Sequence, residues 1–223
     1  MIDYGEAFSF PFKDRDWPLK FIIGGAIMLL SIVIIGIPVA YGYCIEIQQR
    51  VRRDEEKPLP EWKDVGIKFI LGFKFLVTLF VYRLPLFILA MPFLLMVLLT
   101  VGTRDYWMTG FVGGIAFLIF IAFAVLYGLA LLVIMPLIAY KFAEHERIRE
   151  GLQVMSVLSL LGEHWRDLLL IAGVSIGIGL LSVCGLVIFV VGILLTIFYA
   201  MLVQFHLYGQ IGRLIGGSSA VKP

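Results

Sequence analysis

Apolar runs long enough to cross a bilayer alternate with short charged segments along this chain. A membrane-spanning helix needs about 20 mostly apolar residues. Residues 21–47 form the first such run, interrupted by Ser31, Gly36 and Pro38. A proline inside the pattern removes a backbone hydrogen bond and bends or breaks a helix. The run is therefore either one kinked helix or two short helices of a hairpin. Residues 48–64 are polar, and Pro58 with Pro60 disfavours helix there. Val65–Val101 is too long for one ordinary span and carries Lys68, Lys74, Arg83, Pro85 and Pro92. It reads as a shallow amphipathic helix over 65–81 followed by a span over 84–101. Residues 102–105 read as a turn, with Tyr106 and Trp107 as an aromatic belt. Residues 108–135 form a span ending at Pro136. Residues 143–161 begin highly charged, then place Ile148, Leu152, Met155 and Leu158 at helical spacing. That is the pattern of a helix lying on a membrane surface. Residues 165–181 and 186–211 are the last two spans, joined by a turn at 182–185.

Composition agrees. The chain of 223 residues is 61% hydrophobic and 15% charged, with a mean hydropathy of +1.01. Those charges are too few to coat a soluble globule of this size, so the apolar excess faces lipid or a partner. A net charge of +2 gives no footprint for nucleic acid. Cys44 and Cys184 both lie in apolar stretches near opposite faces of the expected bundle, so they read as packed thiols rather than a disulfide. Residues 1–15 are mixed and acidic, so the first apolar run is expected to act as an uncleaved insertion signal.

Lysine and arginine in short loops set orientation. Residues 48–64 hold five: Arg50, Arg52, Arg53, Lys57 and Lys63. Residues 141–166 hold four: Lys141, Arg147, Arg149 and Arg166. Both segments are expected in the cytoplasm, as is the C-terminus with Arg213 and Lys222. Lys13, Arg15 and Lys20 favour the same side for the N-terminus, which requires residues 21–47 to enter the membrane and return. A weak internal repeat agrees. Aligning Trp17 with Trp165 places Gly25 on Gly173, Phe10 on Leu158 and Phe12 on Leu160. The halves, about 4–52 and 150–214, close on Tyr41-Gly42 and Tyr208-Gly209, and such repeats are common in transporters.

The opening Tyr4-Gly5-Glu6-Ala7-Phe8-Ser9-Phe10-Pro11-Phe12-Lys13-Asp14, then Asp16-Trp17 and Gly24-Gly25, resembles a prokaryotic multi-pass membrane family. So do Tyr41-Gly42-Tyr43 leading to Arg52, Glu55-Glu56 and Pro58-Leu59-Pro60-Glu61-Trp62. That family is the one catalogued as domain of unknown function 4013. The resemblance implies a multi-pass membrane protein of a bacterium or archaeon, and it implies no catalytic residues.

Ionisable residues at membrane depth are functional candidates. Aligning the two Tyr-Gly pairs sets Glu46 opposite Arg213, a pair that would clamp the two halves; the plainer account leaves both solvated at the interface. Lys74 and Arg83, with Lys68, either line a site for an anionic lipid or snorkel to phosphates. His206 either lines a polar path or is a satisfied structural histidine. Asp14, Asp16, Trp17, Trp62 and Trp165 read as interface residues. Gly173 and Gly177, like Gly212 and Gly216, have the spacing of closely packed helices. Enzyme, cofactor and metal signatures are absent from the sequence, so no cofactor is expected.

The expected fold is an all-α membrane protein in one domain over 1–223. It is a polytopic helical bundle of about four full spans, with an N-terminal re-entrant hairpin and amphipathic surface helices. The expected place is the plasma membrane, multi-pass. The expected function is transporter-like, or lipid and small-molecule handling, with membrane lipids as partners. The alternative is a non-catalytic accessory or scaffold subunit, held to a second copy or to a membrane-complex partner.

Overall fold

The computed structural model describes residues 2–101, 106–184 and 189–219. The expected turn at 102–105, Gly185 and the side chains of Tyr106, Trp107 and Cys184 lie outside the described residues, and the rest of the turn expected at 182–185 is helix, the end of the helix Val154–Cys184. Eight α-helices make up the described chain: α1 Tyr4–Lys13, α2 Trp17–Leu30, α3 Gly36–Arg52, α4 Val65–Val101, α5 Tyr106–His145, α6 Ile148–Gly151, α7 Val154–Cys184 and α8 Phe189–Ser219. Four of them contain stretches long and apolar enough to cross a membrane: Val65–Leu95, Gly113–His145, Val154–Ser182 and Gly192–Gly217. This is an all-α, multi-pass membrane architecture.

The N-terminal region folds as α1, a sharp elbow and a helical hairpin. Asp3 caps α1, its Oδ1 accepting the Glu6 N–H at 2.8 Å. Ala7, Phe10 and Pro11 form the buried face, which lies on α8. The chain turns by 100° over the next three residues, and Pro18 starts α2 where its missing N–H costs nothing. α2 has 14 residues, about 21 Å of helix, too short to cross the roughly 30 Å hydrocarbon layer alone. A 3-10 turn at Ser31–Val33 and the left-handed Ile34 (φ 69°) reverse the chain into α3. Pro38 falls in the first turn of α3 rather than breaking a span. The two arms return to one level: Trp62 Nε1 donates to the Lys20 carbonyl of α2 at 3.0 Å while its ring stacks on Tyr43 of α3 at 4.0 Å. Residues 21–47 therefore fold back as a hairpin. Its tip, Leu29 to Ile35, is apolar and largely exposed, and Ser31 Oγ donates to the Ile27 carbonyl at 3.1 Å, satisfying a backbone group at the break.

By contact, the chain divides into two compact units. The first joins Met1–Thr78 with Val133–Pro223. Its centre is α3, buried on most of its length against α2 and α8. α7 also packs on α8. Cys44 is a free thiol buried within this core. The second unit, Leu79–Leu132, is held by Phe93 against Phe117 and Phe120 at 5.6 and 5.7 Å, and by Tyr127 Oη donating to the Tyr82 carbonyl at 2.6 Å. Its exposed side chains include Phe87, Ile88, Met91, Leu118 and Leu126, a surface suited to lipid tails.

Three boundaries differ from the sequence reading. The shallow helix over 65–81 and the span over 84–101 are one helix, α4, which passes through Pro85 and Pro92. Its apparent amphipathicity marks burial against the protein: Lys68, Leu71, Gly72, Phe75, Thr78 and Leu79 are the buried face. α5 likewise runs through Pro136. The surface helix expected over 143–161 is instead the short α6 and the first turns of α7, which kinks at His164. Of the four glycines expected to pack closely, Gly212 does so, against Tyr140, and Gly216 does not. Gly173 and Gly177 have no described neighbour within 4 Å beyond their own helix, whereas Gly42 and Gly72 let the backbones of α3 and α4 touch.

Candidate functional site

The charged segments meet at one end of the first unit. Gln49 donates to the Ala143 carbonyl and to Glu146, both at 2.9 Å, and Arg52 binds Glu144 at 3.0 Å while its guanidinium covers the Tyr140 ring. At this end α1, the segment after α3 and the last turns of α8 enclose a cavity of 610 Å3. Phe10 and His206 lie at its apolar side, stacked with ring centroids 4.3 Å apart. Gln210 ties α8 to the start of α1, accepting from the Asp3 N–H at 2.6 Å and donating to the Asp3 carbonyl at 2.9 Å. Tyr199 adds a second tie, its hydroxyl donating to the Phe8 carbonyl at 2.8 Å.

The walls are charged. α1 and its elbow bring Asp3, Glu6, Lys13 and Asp14; the loop brings Asp54, Glu55, Glu56 and Lys57. With Arg213 of α8, six carboxylates face three cations. Among the described residues no group of three His, Cys, Asp or Glu side chains could hold a metal ion.

The expected clamp between Glu46 and Arg213 does not form. Glu46 binds Arg50 one helical turn along, at 2.7 Å, and the Lys68 ammonium of α4 at 2.6 Å. Arg213 binds Asp54 at 2.6 Å and donates to the Val51 carbonyl. Matching positions in two aligned halves need not face each other, and here α4 takes the place opposite Glu46. Lys68 is no surface lysine; its side chain is 8% exposed. Lys74 and Arg83 are exposed on α4. His206, Asp14 and Arg213 all line the cavity, and Glu46 does not.

The aromatic interface residues divide. Trp17 sits at the rim of a cluster with Phe12 and Phe21, at 5.2 and 5.7 Å. Trp62 packs inward on Tyr43, whose hydroxyl donates to the Pro60 carbonyl at 2.9 Å. Trp165 is half exposed on α7 beneath the Arg166 guanidinium. Asp16 is exposed, and its N–H donates to Asp14 at 2.8 Å. The sequence reading passed over Asp3, Gln210 and the pair Glu55-Glu56 as site residues. Asp3 and Glu6 carry the spacing of a helix-capping box, and His206 with Gln210 the i,i+4 spacing of a helical pair; both signals were present.

Asp14 locks the elbow. Its carboxylate takes the Lys20 ammonium at 2.7 Å, and that ammonium also donates to the Leu59 carbonyl at 3.1 Å. Burial pushes the Asp14 carboxyl up, but the Lys20 hydrogen bond, the Asp16 N–H and the nearby Lys57 charge together hold it below its ordinary value. A lowered carboxyl stabilises the fold above its unfolded pKa and loses that contribution as pH falls through the folded one. Asp14→Asn is expected to cost about 2–3 kcal/mol at neutral pH and to flatten the acid limb of stability. Thermal melting in detergent from neutral to strongly acid pH checks this; an unchanged acid limb refutes it.

A family model described as protein of unknown function (DUF4013) matches residues 26–197. The match takes in the loop with Glu55 and Glu56, and it leaves α1 and the cavity-lining end of α8 outside. No curated protein and no solved structure matches the chain. The matched stretch covers most of the multi-pass helical fold, and the chain belongs to the family of proteins of unknown function DUF4013.

Proposed function

We propose that this is a non-catalytic membrane protein of transporter-like or lipid-handling kind, which holds a small polar molecule or a lipid headgroup in the cavity between α1, the loop after α3 and the end of α8. The observation that carries the reading is a 610 Å3 space with a stacked Phe10–His206 floor and charged walls, set in a chain whose spanning helices expose apolar side chains. Pockets for small ligands combine apolar lining with a few convergent polar groups. The breaks just before Trp17 and at His164, just before Trp165, support reading the two ends as related halves. The arginine-rich segments around the cavity favour its opening to the cytoplasm, with the C-terminus on that side.

Native mass spectrometry of the full chain, released from vesicles of phosphatidylethanolamine and phosphatidylglycerol, tests the reading. The wild type is expected to retain about one lipid. Leu214→Trp, which narrows the cavity from a partly exposed wall position, is expected to lose it with little change in melting temperature. Equal retention by both proteins overturns the reading. A wild type that retains nothing and copurifies with a partner at fixed stoichiometry favours the scaffold alternative.

A further inference from the structure

The floor of the cavity carries a hydrogen-bond donor with no acceptor among the described residues. Gln210 fixes its state. The Asp3 N–H requires the amide oxygen, and the Asp3 carbonyl requires the amide nitrogen, so the orientation of Gln210 is determined by two backbone groups. That nitrogen lies 3.1 Å from His206 Nδ1. It donates its second hydrogen there, so Nδ1 is the lone-pair acceptor and the neutral ring carries its proton on Nε2. Nε2–H meets no acceptor among the described residues. Yet His206 is 3% exposed and Phe10 covers one face of its ring. His206 lines the cavity, and its Nε2 is not among the buried atoms without a partner, so this N–H is open to whatever fills that space.

The walls supply the complementary half. Arg213 is taken up by Asp54, and Asp14 by Lys20. Glu6 reaches Lys13 only at 3.9 Å, and Glu55 reaches Arg50 and Arg53 only at 3.9 and 3.8 Å. Glu56 and Lys57 make no ion pair among the described residues. The cavity thus keeps a surplus of carboxylate beside the loosely held ammonium groups of Lys13 and Lys57 and one neutral N–H donor. An anion alone would meet net repulsion from the walls. A simple cation would leave Nε2–H unmatched.

We propose that the cavity takes a zwitterion of the phosphoethanolamine kind. Its ammonium lies among the carboxylates of Glu55 and Glu56, and its oxyanion accepts from His206 Nε2–H. This rests on the cavity being the ligand site. The same chemistry is carried by a lipid headgroup and by a soluble molecule.

The test uses the full chain. Its retention of phosphatidylethanolamine against phosphatidylglycerol is measured by native mass spectrometry, and its binding of free phosphoethanolamine by calorimetry. The wild type is expected to prefer phosphatidylethanolamine by about tenfold, one charge-assisted contact. His206→Phe keeps the stack on Phe10 and removes the donor; it is expected to weaken binding by a similar factor. Glu55→Gln with Glu56→Gln alters two exposed side chains, so the fold is retained, and it is expected to remove the preference. Binding of free phosphoethanolamine as well as the lipid supports a soluble source, and retention of the lipid alone supports a headgroup. Equal or greater retention of phosphatidylglycerol, insensitive to the Glu55/Glu56 variant, overturns the zwitterion while leaving a ligand site in place. Retention of neither lipid, with no heat from phosphoethanolamine, overturns the site itself.

Discussion

Gly42→Ala is expected to cost about 3 kcal/mol or more and to leave little folded protein in mild detergent. A Cβ on Gly42 would stand 1.8 Å from the Lys68 carbonyl oxygen, and one on Gly72 would stand 1.8 Å from the Pro38 carbonyl oxygen. Both obstacles are backbone atoms of a neighbouring helix, so no side-chain rotation relieves them. The helices would have to separate, and Phe75 would lose its contacts with Tyr41 and Phe205. Gly72→Ala is expected to behave alike. Gly66, on the same α4, has nothing within 4 Å, and Gly66→Ala is expected to be neutral or to gain up to about 1 kcal/mol. Melting temperatures of the three variants decide the matter. Wild-type melting of Gly42→Ala would show that α3 and α4 do not meet as described.

Removal of the Glu46 carboxylate has the second-largest expected effect. Glu46→Gln leaves the Lys68 ammonium buried, with the Lys63 carbonyl at 3.0 Å as its remaining partner. Lys68 is 8% exposed and Glu46 25%, so breaking this half-buried pair from one side is expected to cost about 3 kcal/mol, the low end of the range for buried pairs. Replacing both partners is cheaper than the sum, so Glu46→Gln with Lys68→Met is expected to recover more than 1 kcal/mol over additivity, on the order found for groups in contact. Glu46→Gln with Arg213→Gln is expected to be additive, since Arg213 binds Asp54 instead. Coupling to Arg213 and none to Lys68 would reverse the assignment of partners.

Much of the architecture was legible along the chain. Hydrophobic run length marked the spanning helices, because a bilayer imposes a minimum apolar length. Ser31, Gly36 and the charge of the flanking loops marked the hairpin over 21–47, because backbone groups freed by a break must be satisfied locally. Proline was the less reliable guide. Pro85, Pro92 and Pro136 lie inside long helices, where no water competes for the backbone and neighbouring groups can absorb the defect.

The candidate site was only partly legible. His206, Arg213 and Asp14 stand out in the sequence as polar groups in or beside apolar runs, and all three line the cavity. Their roles did not follow. Arg213 answers to Asp54 and Glu46 to Lys68, partners that depend on how α3, α4 and α8 are rotated about their axes. Side-chain period gives each helix a face, but not the neighbour that face meets. The sequence by itself determined that this chain spans a membrane and roughly where, because that follows from local hydrophobicity; loop charge favoured a return of the N-terminal run, and the structure decided it. Only the tertiary structure decided that Asp3 reaches 207 residues along the chain to Gln210, orients it, and sets it against His206 Nδ1 at the floor of a charged cavity. Such a contact follows from the packing of α1 across α8, which no local pattern encodes.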